Sequence, residues 1–90
     1  MSGRRILIVD DDEALRASLC EQLQLRGEFI TVSAASGAAA LKVAEGQDFD
    51  AVIMDVGLPD IGGHEACRLM RCRGVKAPIL MFTRQVTDSD

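Results

Sequence analysis

Three short runs of consecutive apolar residues and one mostly apolar run punctuate the chain, and between them apolar positions recur at helical spacing. The runs are Ile6-Leu7-Ile8-Val9, Phe29–Ala34, Ala51-Val52-Ile53-Met54 and Ile79-Leu80-Met81-Phe82. The first is rich in β-branched residues and all are too short for helices, so they predict strands. Those apolar throughout predict strands buried on both faces. Leu15, Leu19 and Leu23 at i, i+4 and i+8 predict a first helix. Asp10-Asp11-Asp12-Glu13 ends the first strand and opens that helix, and Gly27 stands where a C′ glycine belongs. Ser36 predicts the cap of a second helix running through Leu41 and Val43 to a stop near Gly46. The stretch 57–63, with Pro59 and three glycines, predicts a loop. A third helix is expected from about 64 to 72, with Ala66, Leu69 and Met70 at core spacing, and Gly74 and Pro78 separate it from the last strand.

The resulting order, β-α-β-α-β-α-β, predicts an α/β fold with a parallel sheet and helices on both faces. Right-handed crossovers then leave few topologies open. No internal repeat, low-complexity segment or linker interrupts the pattern. At 90 residues the chain is at most one small domain, with a thin stability margin. It contains no Trp or Tyr and three Phe, so the core must be aliphatic, with Met54, Met70 and Met81 among the packing residues.

A formal net charge of −4 argues against nucleic-acid binding by this chain, because phosphate contact rewards a basic face. Cys20, Cys67 and Cys72 are an odd number without C-x-x-C spacing, which favours small buried hydrophobes over a metal or redox pair and fits a reducing cytoplasm. The basic start Met1-Ser2-Gly3-Arg4-Arg5 precedes an apolar run far too short for a signal-peptide core or a membrane span, so no membrane association is expected. His64 is expected exposed in the first turn of its helix, and Arg68, Arg71, Arg73 and Lys76 form a solvated basic face.

The strand ends carry the candidate chemistry. In a parallel sheet all strand C-termini point to one edge, and ligands bind outside it at the switch point in strand order. The first strand ends in Asp10-Asp11, the third in Asp55 and the fourth in Thr83, which brings three carboxylates and a hydroxyl to one rim. Two unit charges about 4 Å apart repel by roughly 4 kcal/mol at an effective dielectric of about 20, so the cluster needs a cation, a protonated member or wide spacing, and a hard cation is the simplest answer. Magnesium takes one or two carboxylates, keeps waters and leaves room for phosphate oxygens. With it, Asp55 becomes a candidate nucleophile toward phosphorus, Asp10 and Asp11 candidate metal ligands, the Gly57 carbonyl a further ligand and the Thr83 hydroxyl a donor to a phosphoryl oxygen.

Leu7-Ile8-Val9-Asp10-Asp11-Asp12-Glu13, Met54-Asp55-Val56-Gly57-Leu58-Pro59-Asp60 and Phe82-Thr83 resemble the three signature blocks of the bacterial response-regulator receiver family, in order and at fitting separations. The resemblance covers nearly the whole chain. It implies a flavodoxin-like doubly wound sheet of order 2-1-3-4-5, here with order 2-1-3-4. It implies Asp55 as phosphoacceptor, Asp10 and Asp11 as the acidic Mg2+ pair, and Thr83 as the switch hydroxyl. The implied donor is a sensor histidine kinase or a phosphotransfer protein, the implied role a two-component phosphorelay, and the implied location the cytoplasm.

Against that family pattern, the fifth strand, the last helices and a lysine that pairs with the phosphoryl group are expected to be missing from residues 1–90. Lys76 lies before the fourth strand and Lys42 in the second helix, so neither takes the lysine's place. The expectation is an incomplete receiver domain with an open edge at the fourth strand and a partly exposed Leu15/Leu19/Leu23 stripe. Such a chain suits a fragment of a longer regulator with a DNA-binding output domain beyond residue 90, or a homodimer or domain swap. Gly62-Gly63 stands where the family commonly has Asp-Gly, and Gly for a capping Asp costs roughly a few tenths of a kcal/mol. Two other functions compete. A phosphorylation-independent interaction module would ignore Asp55. A phosphatase of the haloacid-dehalogenase type would use Asp10 as nucleophile and Asp12 as acid.

Overall fold

The computed structural model describes residues 3–83. Its elements run β1 (Arg4–Val9), α1 (Glu13–Gln24), β2 (Phe29–Ala34), α2 (Gly37–Glu45), β3 (Ala51–Asp55), α3 (Gly63–Cys72) and β4 (Ile79–Phe82). The four strands form one parallel sheet in the order β2-β1-β3-β4. The expected order 2-1-3-4 is therefore the order found. β1 starts two residues before its apolar run. Arg4 and Arg5 join the ladder to Phe29 and Ile30 through their backbones while their side chains stay exposed, and hydropathy does not register such positions.

The aliphatic core lies on the α2/α3 face of the sheet. Leu7, Val9, Val52 and Met54, all fully buried, meet Ala40 and Leu41 of α2 and Ala66 and Met70 of α3, with Ala34 and Leu58 closing the cluster. Ile6 and Ile8 alternate with these along β1 and so point to the opposite face, where α1 packs. That helix has no fully buried residue, and Leu15, Leu19 and Leu23 are half-buried. Among the described residues β4 pairs with β3 alone, Leu80 is 61% exposed and Met81 is half-buried, so Met81 is not the core residue its sequence setting predicts. Edge position explains this, since Met54, its register partner, is flanked by strands on both sides.

Some surface expectations need correcting. All three cysteines are free, but Cys20 and Cys67 are half-buried and Cys72 exposed. The basic face of α3 is exposed yet engaged: Arg68 pairs with Glu65, Arg73 with Glu45 of α2, and Arg71 donates to the carbonyls of Val75 and Ala77. His64 is exposed as expected. Among the described residues no helix is long and apolar enough to cross a membrane.

The start of α3 is where glycine is required. Gly62 has φ +74° and ψ 153°, a region almost closed to residues with a Cβ, and it offers no side-chain cap. The expectation that Gly62 merely replaces a capping Asp at small cost is therefore corrected: the backbone itself demands glycine. At Gly63 a Cβ would lie 2.5 Å from the Asp55 carbonyl oxygen and 2.8 Å from the Val56 Cα. Helix α3 thus seats directly on the end of β3. Gly63→Ala should destabilise the fold by about 1–3 kcal/mol in equilibrium chemical unfolding, the usual cost of overpacking; an unchanged midpoint would show that the contact yields without strain.

Candidate metal centre

The register of the sheet brings the carboxylates together. Val9 pairs with Met54, so Asp10 and Asp55 are the next residues out on adjacent parallel strands, which lie about 4.8 Å apart. These two strands flank the point where the strand order reverses, since β2 adds beyond β1 and β4 beyond β3. Asp10 is 0% exposed and Asp55 2% exposed, both at the mouth of the apolar core. Asp11 is exposed. One ligand oxygen from each of Asp10, Asp11 and Asp55 lies within 4.8 Å of the others.

Backbone groups hold this arrangement. Asp10 Oδ1 accepts from the Asp12 N–H at 2.8 Å, an Asx-type turn that curls the chain from strand into helix. Asp12 is then the N-cap of α1, its Oδ1 accepting from the Leu15 N–H at 3.1 Å. Arg16, one turn into α1, donates to the Asp10 carbonyl at 2.7 Å and ties the helix to the strand end. On the other side Asp55 Oδ1 accepts from the Gly57 N–H at 3.1 Å. The Val56 N–H donates to Phe82 O and the Gly63 N–H to Val56 O, so the loop leaves β3 along a fixed path. Asp55 pairs in register with Phe82, which puts the exposed Thr83 one step farther out on the same rim.

The donor set fits a hard divalent cation. All three donors are carboxylate oxygens, and no imidazole or thiolate belongs to the group. Their span is close to the roughly 4 Å that separates opposite ligands around magnesium with bonds of about 2.1 Å. The buried pair Asp10 and Asp55 repel by on the order of 3–4 kcal/mol at an effective dielectric of about 20, and the exposed Asp11 adds a smaller, solvent-screened share. A bound cation reverses that sign.

Sequence reasoning missed two residues around the site. Arg16 could have been found from its place one turn beyond the Asp12 cap. Asp60 left no local signal. Its carboxylate crosses to α2, Oδ2 accepting from the Ala38 N–H at 2.8 Å and Oδ1 from the Gly37 N–H at 2.9 Å. The bonds to Ala38 and then Gly37 hold its pKa below the ordinary 3.8.

Residues 6–90 match the family model described as the response regulator receiver domain. The chain is 40% identical over 90 residues to the transcriptional regulatory protein TcrA of Mycobacterium tuberculosis, covering 98% of this chain and 35% of that protein. It therefore spans about a third of the length of the curated relatives it matches. Among solved structures, the chemotaxis protein CheY4 of Vibrio cholerae superposes with a TM-score of 0.88 at 32% identity, over 96% of this chain and 72% of its own. The response regulator TrrA of Thermotoga maritima, solved in complex with Mg2+-BeF, gives a TM-score of 0.83 at 35% identity, over 91% and 70% of the two chains.

Because its folded pKa is lowered, Asp60 contributes stability that is complete above its ordinary value of 3.8 and is lost as pH falls through the lower folded value. The stability gap between the parent and Asp60→Asn, followed by circular dichroism, should hold steady above that pH and close below it. Parallel acid limbs would sink this assignment.

Proposed function

The chain belongs to the response regulator receiver domain family, and from that premise we propose that it is the phosphoacceptor module of a two-component phosphorelay, with Asp55 as acceptor and Mg2+ as cofactor. The observation that carries this is the group of Asp10, Asp11 and Asp55 at the switch point of the sheet. The family is one of signalling domains, and the proposed output is a change in partner contacts rather than turnover.

Asp55 attacks phosphorus through a carboxylate oxygen. The P–O bond to Asp55 forms as the P–N bond of a donor phosphohistidine breaks, and the imidazole nitrogen leaves with the electron pair. The Gly57 N–H on Oδ1 orients the carboxylate, and the buried setting limits the water that could compete. Bound magnesium supplies neutralisation of charge on the phosphoryl oxygens. Asp10 and Asp11 would hold it, with Asp55 and the Gly57 carbonyl completing the protein's share. The Thr83 hydroxyl, on the same rim, would donate to a phosphoryl oxygen.

Donor and output follow from likeness. A sensor histidine kinase or phosphotransfer protein is the proposed donor. TcrA is named a transcriptional regulatory protein, so the proposed output is transcriptional, delivered by a DNA-binding part outside residues 1–90. TrrA was solved with Mg2+-BeF, and its likeness supports Mg2+ here. The Asp10-nucleophile reading is disfavoured because Asp12, its required acid, caps α1.

Intact-mass spectrometry after acetyl phosphate and Mg2+ tests the proposal. The parent should gain one phosphoryl group that maps to Asp55, Asp55→Asn should gain none, and Asp10→Asn should react at least about tenfold more slowly. A phosphoryl group on Asp10 would instead favour the phosphatase reading. Labelling that persists in Asp55→Asn would place the acceptor on another residue, and no labelling of the parent would favour an interaction module that works without phosphorylation.

A further inference from the structure

The loop that leaves β3 is pinned unevenly. Its inner end is fixed by the Gly57 N–H on Asp55 and by Leu58, which is buried in the core. Its outer end projects from the sheet, and Asp60 there is exposed. What holds that end is α2. The first two N–H groups of α2, at Gly37 and Ala38, both donate to Asp60, which lies 23 and 22 residues away. The third, at Ala39, is taken by Ser36 from the helix's own cap position. A local cap would satisfy the helix end alone. A carboxylate brought from another segment also joins the two segments.

The contact is built for close approach. A Cβ at Gly37 would lie 2.5 Å from Ile61 Cγ1 and 3.3 Å from Asp60 Oδ1, so glycine lets the loop seat closely on the first turn of α2, where any side chain would push Ile61 aside. Both oxygens of Asp60 are used, and the bonds are charge-assisted and aligned with the positive end of the helix dipole. Between Gly57 and Asp60 the chain has little freedom left. Leu58 is buried, Pro59 has its φ set by its ring, and Asp60 is clamped.

We propose that Asp60 is a positioning residue for the metal centre, clamping the Gly57 loop to α2 so that the Gly57 backbone and the Asp55 carboxylate are held in place before an ion arrives. The inference rests on the metal-centre reading above. Loss of the clamp lets the loop open locally, and each ion bound must then reorder it. Linkage makes the effect reciprocal: an ion that favours the ordered loop also strengthens the Asp60 contact with α2.

The test compares Asp60→Ala and the milder Asp60→Asn with Ser36→Ala, which removes a cap from the same helix without touching the loop. Amide hydrogen exchange at Gly57 is read by NMR without metal, and Mg2+ affinity is read by titration calorimetry with Mg2+ alone. Asp60→Ala should speed Gly57 exchange by about fivefold or more and weaken Mg2+ by about tenfold or more, Asp60→Asn should do so less, and Ser36→Ala should change neither beyond its effect on global stability. Unchanged Gly57 exchange in Asp60→Ala, or equal changes in Ser36→Ala, would overturn the clamp. If the parent itself binds no Mg2+, the metal-centre reading fails on its own, and the exchange pattern still decides whether Asp60 holds the loop.

Discussion

Like charges drawn to one point by the sheet are the constraint around which this molecule is arranged. Asp10 and Asp55 sit at matching steps on neighbouring parallel strands, nearly or wholly removed from solvent, and Asp11 joins them within 4.8 Å. Burial of ionised groups costs several kcal/mol each before any repulsion is added. A protein selected for stability alone would place apolar residues there, as it does one step deeper at Val9 and Met54. The cost is tolerable if a cation completes the site, and the local structure fits that purpose.

The surrounding structure fixes positions rather than adding bulk. The Asx turn from Asp10 to Asp12 starts α1, Arg16 ties α1 back to the strand end, and the Gly57 N–H orients Asp55. Gly63 lets α3 sit against the end of β3, and Asp60 joins the intervening loop to α2. All three helices therefore have a terminus or first turn directed at the same rim. The apolar core beneath, with Leu7, Val9, Val52 and Met54 fully buried, is the rigid base that keeps these parts in register.

Much of this was legible in the sequence because the signals were local and strong. Continuous apolar runs marked β1, β3 and β4 and a mostly apolar stretch marked β2, Ser36 and Gly46 bounded α2 as expected, and the carboxylates stood at strand ends, where parallel topology alone brings them together. What escaped were features without a local signature. Arg4 and Arg5 extend β1 by backbone pairing that hydropathy does not register. Met81 is apolar but lies on a strand with one neighbour among the described residues. Gly62 looked like a lost cap, whereas its role is a φ of +74°. Asp60 looked like a turn residue because its partners are more than twenty positions away.

The most direct test of the charge constraint is equilibrium unfolding of the parent and of Asp10→Asn, each in EDTA and in excess Mg2+. Asn keeps an acceptor for the Asp12 N–H while removing one charge. In EDTA the variant should be more stable than the parent by about 1–3 kcal/mol, as one repulsive buried charge is gone. Mg2+ at about a hundred times its Kd should raise the parent by about 2.7 kcal/mol and leave the variant nearly unmoved. A variant less stable than the parent in EDTA, with a parent that Mg2+ does not stabilise, would contradict the account.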